Sequence, residues 1–310
     1  MKLCHAVVFL ITSVALAPGG FFSTASASES NATHFRERSV AATIPALGQQ
    51  GSGGRAGESP RPQLRVVTYN IRSCEGLDGH FRCDRVADIL RRIGPDVIAL
   101  QEVRAEQAAE IAKRLGYNVF FGHADTVHGH DFGNAILTRL PIRETHLYPI
   151  GVPGRQQRAC LRADIAWPAG NQTIHVFTVH LGLSVAERRA QGQRLASPQI
   201  LADPSVQNEP RILLGDFNEK FNHQDVNRSL KPLLHLIGKK SWPAPLPFVD
   251  LDRIYFSGEM KRVSAHIYRS HGALIASDHA PLTAVLEKTA SFSAEGKARG
   301  IEFGLMREAK

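Results

Sequence analysis

The chain has 310 residues, of which 43% are hydrophobic and 21% are charged. This length and composition exclude wholesale disorder and allow a full core to be buried, so one domain of ordinary enzyme size is expected. The formal net charge of +8 favours an anionic partner, such as nucleic acid, a phospholipid headgroup or a small phosphate. Since the basic residues are spread along the chain, they do not indicate a dedicated nucleic-acid groove.

The N-terminus has the features of an export signal. Lys2 precedes an apolar stretch over residues 6–16, and Ala25-Ser26-Ala27 follows as an A-x-A site for a signal peptidase. The stretch is too short for a membrane span, and no other run of the sequence approaches the ~20 apolar residues that a transmembrane helix needs. We therefore predict a signal peptide over residues 1–27, a secreted or periplasmic location and no transmembrane segment.

The rest of the chain divides by composition. Residues 28–62 are rich in Ser, Gly, Ala and Gln and lack periodicity, which is typical of a flexible lead-in. A domain is predicted over residues 63–288, and the polar residues 289–310 are interpreted as a tail.

Two cysteines flank a Gly-containing loop at the start of this domain. In an oxidising compartment Cys74 and Cys83 are expected to form a disulfide, and the alternative is two unrelated small residues. Cys160 lies in an alternating strand pattern, so we expect it to be buried and reduced.

Short apolar runs and helical spacings alternate along the domain. The sequence L-R-V-V-T-Y-N-I, which begins at Leu64, predicts a strand that delivers Asn70 at its end. Three helices are predicted from their boundary signals: one with Asp84 as N-cap, one that ends at Gly116, and one opened by an S-x-x-E capping box at Ser184 and Glu187. Further strands are predicted over residues 97–100, 117–121, 135–138, 159–166, 173–179, 212–214, 251–256 and 282–286.

The stretch R-I-L-L-G-D-F-N-E, residues 211–219, places polar side chains after a buried strand. Its apolar run predicts the strand, and Gly215 is predicted to end it with a tight turn. Asp216 and Asn218 would then be exposed side by side, where hard oxygen ligands suit Mg²⁺ or a phosphate ester. The alternative is a turn that merely favours Asp and Asn.

Other polar side chains occur at ends of predicted buried strands in the same way: Asn70, Glu102, His180 and the pair Asp278-His279. Stacked sheets can bring such ends to one rim, and a rim crowded with carboxylates needs a cation to offset their mutual repulsion. The residues therefore predict a Mg²⁺ site. Zinc fits less well, because the sequence has neither H-E-x-x-H nor paired C-x-x-C motifs and the expected ligands are oxygens.

Seven short motifs occur in a characteristic order between residues 64 and 286: T-Y-N-I, L-Q-E-V, G-N-A-I-L-T-R, T-V-H-L, L-L-G-D-F-N, L-D-R-I and S-D-H-A-P-L. In this order they resemble the endonuclease/exonuclease/phosphatase superfamily, the fold of deoxyribonuclease I. The resemblance implies a four-layer α/β sandwich, in which two face-to-face β-sheets are flanked by helices. It also implies cleavage of phosphate esters with Mg²⁺ as the cofactor and Mn²⁺ as an alternative metal.

The resemblance further implies roles around the metal and the phosphate. Glu102 would be the main metal carboxylate, and Asn70 and Asp278 would lie close to the metal and the scissile phosphate. Asp216 and Asn218 would orient the attacking water and the phosphate.

Proton transfer would involve two histidines. By the resemblance, His279 would be the base, oriented by Asp252, and His180 would donate to the phosphate oxygens or the leaving group. Such histidines suit the reaction because a phosphodiester repels its nucleophile, so its charge must be neutralised and water deprotonated. Asp216 is an alternative base. The alternatives are an ordinary surface histidine for His279 and a satisfied core histidine for His180.

Two further residues are weaker candidates for substrate binding. Arg158 matches a basic position that some relatives place near the phosphate, and the alternative is a surface arginine. Asn134 follows a similar argument, with the alternative that it only holds its loop.

The resemblance does not choose the substrate, because the superfamily acts on DNA, RNA, inositol phosphates and sphingomyelin. The segment F-V-D-L-D-R-I departs from the W-C-D-R-I form of inositol polyphosphate phosphatases, and S-W-P-A-P-L-P is similar to a bacterial group that includes suspected phospholipid-related members. The leading hypothesis is a monomeric phosphodiesterase or phosphatase, with phospholipids among its candidate substrates. A secreted nonspecific nuclease and a non-catalytic binding module are the alternatives.

Overall fold

The computed structural model of the protein describes residues 62–127, 129–167, 172–220 and 224–289. The predicted signal peptide lies outside the described residues, as do the lead-in up to residue 61 and the tail from residue 290.

The described residues form alternating strands and short helices. The strands are β1 (Gln63–Asn70), β2 (Val97–Arg104), β3 (Asn118–Val127), β4 (His130–Thr138), β5 (Ile142–Pro149), β6 (Ala159–Ala166), β7 (Thr173–His180), β8 (Arg211–Asp216), β9 (His235–Gly238), β10 (Asp252–Phe256), β11 (Met260–Ile267) and β12 (Leu282–Lys288). The helices are α1 (Cys83–Ile93), α2 (Ala105–Leu115), α3 (Val185–Leu195), α4 (Asp225–Leu230) and α5 (His271–Ala276), and a 3₁₀ turn covers Arg72–Cys74.

The strands form two six-stranded mixed sheets. The first has the order β11-β12-β1-β2-β4-β3 and the second the order β5-β6-β7-β8-β10-β9. Each sheet contains one parallel pair, β1 with β2 in the first and β7 with β8 in the second. The other neighbouring strands are antiparallel.

The core follows from the two-residue alternation of side chains along each strand. One face of each sheet contributes to an apolar layer between the sheets, which includes Val66 and Ala99 from the first sheet and Val176 and Leu214 from the second. The opposite face of the first sheet packs on α1 and α2, and that of the second sheet packs on α3. This arrangement is a four-layer α/β sandwich, as the motif order implied.

The predicted strands are all present, and the unpredicted ones lie at sheet edges. β5, β9 and β11 are edge strands, and most residues of β11 are exposed on both faces. An edge strand with little buried surface carries no apolar alternation for a pattern to detect. The helices α4 and α5 have six residues each, too few for a helical period to be recognised.

The helix boundaries test the predicted caps. Ser184 and Glu187 form the predicted capping box, with the Glu187 N–H donating to Ser184 Oγ at 3.2 Å. The prediction that Asp84 is an N-cap is wrong, since the N-cap of α1 is Arg82. Asp84 instead lies in the first turn, where its carboxylate accepts two hydrogen bonds from Arg82 at 2.8 and 2.6 Å and suits the positive end of the helix dipole.

The cysteines behave as the sequence predicts. Cys74 and Cys83 form a disulfide with their Cα atoms 5.2 Å apart, and Cys160 is free and buried. Within the described part of the chain, no helix has the length and apolarity needed to cross a membrane.

Candidate active site

The polar residues at the strand ends lie together because the parallel pairs β1–β2 and β7–β8 run towards the same end of the sandwich. In the first sheet Asn70 lies beside Gln101, and in the second His180 lies beside Asp216. The antiparallel strand β10 begins at Asp252, directly opposite Asp216. All five side chains continue the inward-facing alternation of their strands, so they face the space between the sheets at one end.

Asn70 links the two sheets through a pair of carboxylates. Its Nδ2 donates to Glu102 Oε1 at 3.0 Å and to Asp216 Oδ2 at 3.1 Å, while its Oδ1 accepts the Arg72 N–H at 3.1 Å. The amide nitrogen, not the oxygen, therefore faces the carboxylates. This orientation favours a bridging donor over a metal ligand for Asn70.

Glu102 reaches the site through a backbone irregularity. In a regular strand Glu102 would point away from Gln101, towards the helix layer. The β2–β4 register shifts between Leu100 and Val103, and Glu102 adopts φ +52°, a left-handed conformation that costs energy for a residue with a Cβ. The bulge returns its carboxylate to the rim, where 31% of the side chain is exposed.

His279 is held between two carboxylates. Its Nδ1 lies 2.8 Å from Oδ2 of the fully buried Asp252, and its Nε2 lies 3.7 Å from Asp216 Oδ2. Burial opposes the charge on the ring, but the two carboxylates outweigh it and raise the pKa of His279 to about 10. Burial, together with the nearby Asp252 charge, raises the pKa of Asp216 to about 6 against the opposing effect of His279.

His180 has an arginine as its partner. Arg158 Nη1 lies 3.0 Å from His180 Nδ1. Because an arginine can only donate, Nδ1 must accept and the ring hydrogen is on Nε2. That nitrogen faces Glu102 Oε1 at 3.9 Å and Asp216 Oδ2 at 3.7 Å. Burial, the Arg158 charge and the His279 charge hold the pKa of His180 well below its usual value, so this ring is neutral.

Asp278 lies at the margin of the site. It is half-buried, and its carboxylate accepts the indole N–H of Trp242 at 3.3 Å. Ser277 ties this segment to the first sheet, since its hydroxyl donates to the Asn70 carbonyl at 2.8 Å. Asp278 therefore lies next to His279, and the Trp242 indole orients its carboxylate.

Asn218 helps to fix the position of the Asp216 carboxylate. Its N–H donates to Asp216 Oδ1 at 2.9 Å, and its Nδ2 donates to the Leu181 carbonyl at 3.0 Å. Asn218 has φ +50°, which asparagine tolerates better than most residues.

The prediction that Gly215 ends the strand is wrong, because β8 continues to Asp216. Glycine is required for another reason: a Cβ there would lie 2.1 Å from the carbonyl oxygen of Val179 in the neighbouring strand.

The two weaker candidates for substrate binding, Arg158 and Asn134, have different surroundings in the structure. Arg158 is buried and joins the site through His180, so the surface alternative is wrong. Asn134 is also buried, but its Nδ2 donates to the Ala159 carbonyl at 3.2 Å and ties β4 to β6. This contact favours the holding role over substrate binding.

Sequence reasoning missed the polar layer beneath the site. Thr68 Oγ1 lies 3.1 Å from Gln101 Oε1, and Gln101 Nε2 donates to Thr178 Oγ1 at 3.2 Å. All three side chains are buried; Thr68 and Thr178 lie one inward step before Asn70 and His180, and Gln101 is the inward residue of β2 that pairs with Asn70. The same alternation in the sequence could have identified them. The Trp242 contact could not have been found in this way, because it joins a loop to a distant segment.

The donor set fits a hard divalent cation. Asp216, Asp252 and His279 offer ligand atoms that all lie within 4.8 Å of one another, and Glu102 adds a partly exposed carboxylate. Burial is the largest cause of the raised pKa of Asp216 and the Asp252 charge adds to it, and a divalent cation would offset both effects. Oxygen-rich sites of this kind suit Mg²⁺ or Mn²⁺.

The comparisons with known proteins agree with this geometry. Residues 67–279 match the Endonuclease/Exonuclease/phosphatase family. The chain therefore belongs to this family, whose name covers hydrolases of phosphate esters. The chain is also 30% identical over 246 residues to the uncharacterized protein YbhP of Escherichia coli (strain K12), covering 71% of this chain and 95% of that protein.

Two solved structures share the fold. The mannosyl-6-phosphatase Bt3783 of Bacteroides thetaiotaomicron superposes with a TM-score of 0.60 at 20% identity, over 72% of this chain and 99% of that chain. The D. rerio protein TDP2, complexed with single-strand DNA product, superposes with a TM-score of 0.57 at 17% identity, over 73% of this chain and 99% of that chain. At such identities the likeness establishes the fold alone.

Proposed function

We propose that this site hydrolyses phosphate esters in a reaction that requires Mg²⁺, for which Mn²⁺ can substitute. The observation that carries the proposal is the convergence of Glu102 and Asp216 with one neutral histidine, His180, and one protonated histidine, His279, at one end of the sandwich. The cation, held by Glu102 with Asp216 and Asp278 nearby, would neutralise phosphate charge and favour ionisation of water.

The side chains of the protein supply the remaining chemistry. His180 presents its Nε2 hydrogen to the same space as the carboxylates, so it can donate to a phosphate oxygen. His279 Nε2 and Asp216 Oδ2 lie 3.7 Å apart, and a proton from water can be accepted by Asp216, or by His279 if a bound cation lowers its raised pKa enough to make the ring neutral. If Asp216 takes that proton, the protonated His279 can bind the phosphate or protonate the departing oxygen. If His279 takes it, Asp252 stabilises the resulting imidazolium.

A substrate panel with purified mature protein tests the proposal. The panel contains bis-p-nitrophenyl phosphate, plasmid DNA, sphingomyelin and phosphatidyl lipids, each with Mg²⁺, with Mn²⁺ and with EDTA. We expect hydrolysis of at least one ester that disappears with EDTA and returns with either metal. Full activity in metal-free buffer would refute the metal requirement, and no hydrolysis of any ester would favour a binding module.

The nuclease alternative makes a different prediction. A nonspecific nuclease would cut plasmid DNA with a rate that falls steeply with salt, because its binding would rest on phosphate contacts. The net charge of +8 supports this alternative, and the exposed apolar side chains on loops at the site end of the sandwich support a lipid substrate instead.

We also propose that the protein is an exported monomer. The signal-like N-terminus supports export, and the Cys74–Cys83 disulfide suits an oxidising compartment. N-terminal sequencing of protein from its native host should show cleavage near Ala27. Cytoplasmic protein that retains Met1 would contradict the proposed location.

A further inference from the structure

Large apolar side chains are exposed around the candidate active site. Among the described residues, seven such side chains are exposed, and five of them lie on loops at the site end of the sandwich: Leu77, Phe81, Leu183, Leu246 and Phe248. These loops follow β1 and β7 or precede β10. The other two, Leu236 and Val263, lie on the edge strands β9 and β11. Single exposed apolar residues are common, but their concentration at one end indicates an interaction surface.

The loop over residues 239–251, which we call the Trp242 loop, is tied directly to the site. The Ala244 N–H donates to the Asp278 carbonyl at 2.7 Å, and the Trp242 indole donates to the Asp278 carboxylate at 3.3 Å. The three prolines of W-P-A-P-L-P restrict the backbone of the loop. Leu246 and Phe248, 74% and 53% exposed, are therefore held outward by a restrained backbone, which lowers the entropy cost of binding.

Basic side chains accompany the apolar ones. Lys239 and Lys240 open the Trp242 loop and are exposed, and the exposed Lys220 places its Nζ 5.3 Å from the centroid of the Trp242 ring. The acidic Asp250 of the loop lies 3.5 Å from an arginine of β10, which offsets its charge. The surface therefore combines apolar tips with positive charge, the combination that favours the interface of an anionic membrane.

We propose that the Trp242 loop, with Leu183 of the loop that follows β7, docks on the surface of an anionic phospholipid membrane. Leu246 and Phe248 insert between headgroups, and the lysines contact the lipid phosphates. Because hydrogen bonds join the Trp242 loop to Asp278, docking of this loop places the candidate active site at the headgroup layer. This inference rests on the proposed hydrolysis and narrows its substrate to a phosphate ester carried by a membrane lipid.

Vesicle flotation in EDTA tests docking separately from hydrolysis. We expect the purified mature protein to float with phosphatidylglycerol vesicles at low salt and to bind pure phosphatidylcholine vesicles far less, and we expect soluble glycerol phosphate not to compete. A failure to bind phosphatidylglycerol vesicles would overturn the inference. Binding to single-stranded DNA in place of vesicles would overturn it too.

Matched variants locate the surface. Leu246→Ser with Phe248→Ser should weaken vesicle binding by roughly tenfold or more per residue, and Lys239→Glu with Lys240→Glu by at least about fivefold per residue. Val263→Ser is the control, because it removes an exposed apolar side chain from the edge strand β11, outside the Trp242 loop, and it should bind like the parent. Parent-like binding by Leu246→Ser/Phe248→Ser would refute the assignment.

Activity on a soluble ester separates this inference from the proposed function. Leu246→Ser/Phe248→Ser should cleave bis-p-nitrophenyl phosphate at the parent rate but should lose cleavage of the lipid in vesicles. Vesicle binding without hydrolysis of any ester would contradict the proposed function and leave docking supported. Hydrolysis of the soluble ester without vesicle binding would contradict docking alone.

Discussion

The two histidines of the candidate active site lie at the same distance from one carboxylate and carry different charges. His279 Nε2 and His180 Nε2 are each 3.7 Å from Asp216 Oδ2. Behind His279 lies the carboxylate of Asp252, which raises its pKa against the effect of burial. Behind His180 lies Arg158, which together with burial lowers its pKa. Burial alone would lower the pKa of both rings, so the carboxylate behind His279 helps to reverse that effect whereas the guanidinium behind His180 adds to it.

The largest expected effect comes from the His279 side of this comparison. His279→Ala removes a proton-transfer group and leaves Glu102 in place, so we expect turnover to fall roughly 10²–10⁴-fold. If Asp252 acts through His279, Asp252→Asn should add little to a protein that already lacks the ring. The measurement is kcat of the two single variants and the double variant on a soluble phosphodiester. Near parental turnover of His279→Ala would refute its role.

A smaller effect is expected at Glu102, the partly exposed carboxylate that lies 3.9 Å from His180 Nε2. Glu102→Ala should raise the Mg²⁺ concentration needed for half-maximal activity by at least about tenfold, because it removes a proposed metal ligand. Titration of activity with Mg²⁺ measures this. Glu106→Ala, which removes an exposed carboxylate from the first turn of α2, is the control and should leave the titration unchanged.

On the His180 side, we expect variants of Arg158 to act through the orientation of the His180 ring. Arg158→Met removes the hydrogen bond that holds His180 Nδ1 as an acceptor, so we expect kcat to fall roughly tenfold with little change in KM. Arg158→Gln retains an N–H donor and should recover part of the loss. If Arg158 binds substrate instead, as the motif position alone suggested, KM should rise in both variants and Gln should not rescue kcat.

The smallest expected effect is on the free energy of unfolding. Its dependence on pH should receive contributions of opposite sign from His279 and His180. In EDTA, the raised pKa of His279 stabilises the fold fully below pH 6.5, and this contribution is lost as the pH rises to about 10. The lowered pKa of His180 has the reverse effect: the unfolded chain gains a proton below pH 6.5, so stability falls with falling pH.

Urea unfolding of parent and variants across pH measures these slopes. His279→Gln should flatten the alkaline limb and His180→Gln the acid limb, each by at most about 1.4 kcal/mol per pH unit. His146→Gln is a control for histidine removal, because His146 lies on β5 away from this cluster. Equal slopes in parent and His279→Gln would contradict the assigned charge of His279.

Much of the site could be predicted because strand alternation is local. Asn70 follows Val66 and Thr68 on one face of β1, and Asp216 follows Ile212 and Leu214 on one face of β8. A reader of the sequence can count these steps of two and infer that a polar residue at the end of a buried strand faces the same space as its core. The motif order then implied the sandwich that the structure shows.

The tertiary structure decided the features that depend on partners distant in the chain. A bulge against β4 turns Glu102 back to the rim, against the alternation of its own strand. Arg158 reaches His180 across 22 positions, and Trp242 reaches Asp278 across 36. Sequence alternation encodes which face of a strand a residue occupies, but hydrogen bonds between separate segments depend on how the two sheets and their loops pack. Hence the sequence by itself determined that Asn70, His180 and Asp216 gather at the rim, whereas packing brought Glu102 and Arg158 to them and decided which atom of each side chain faces the others.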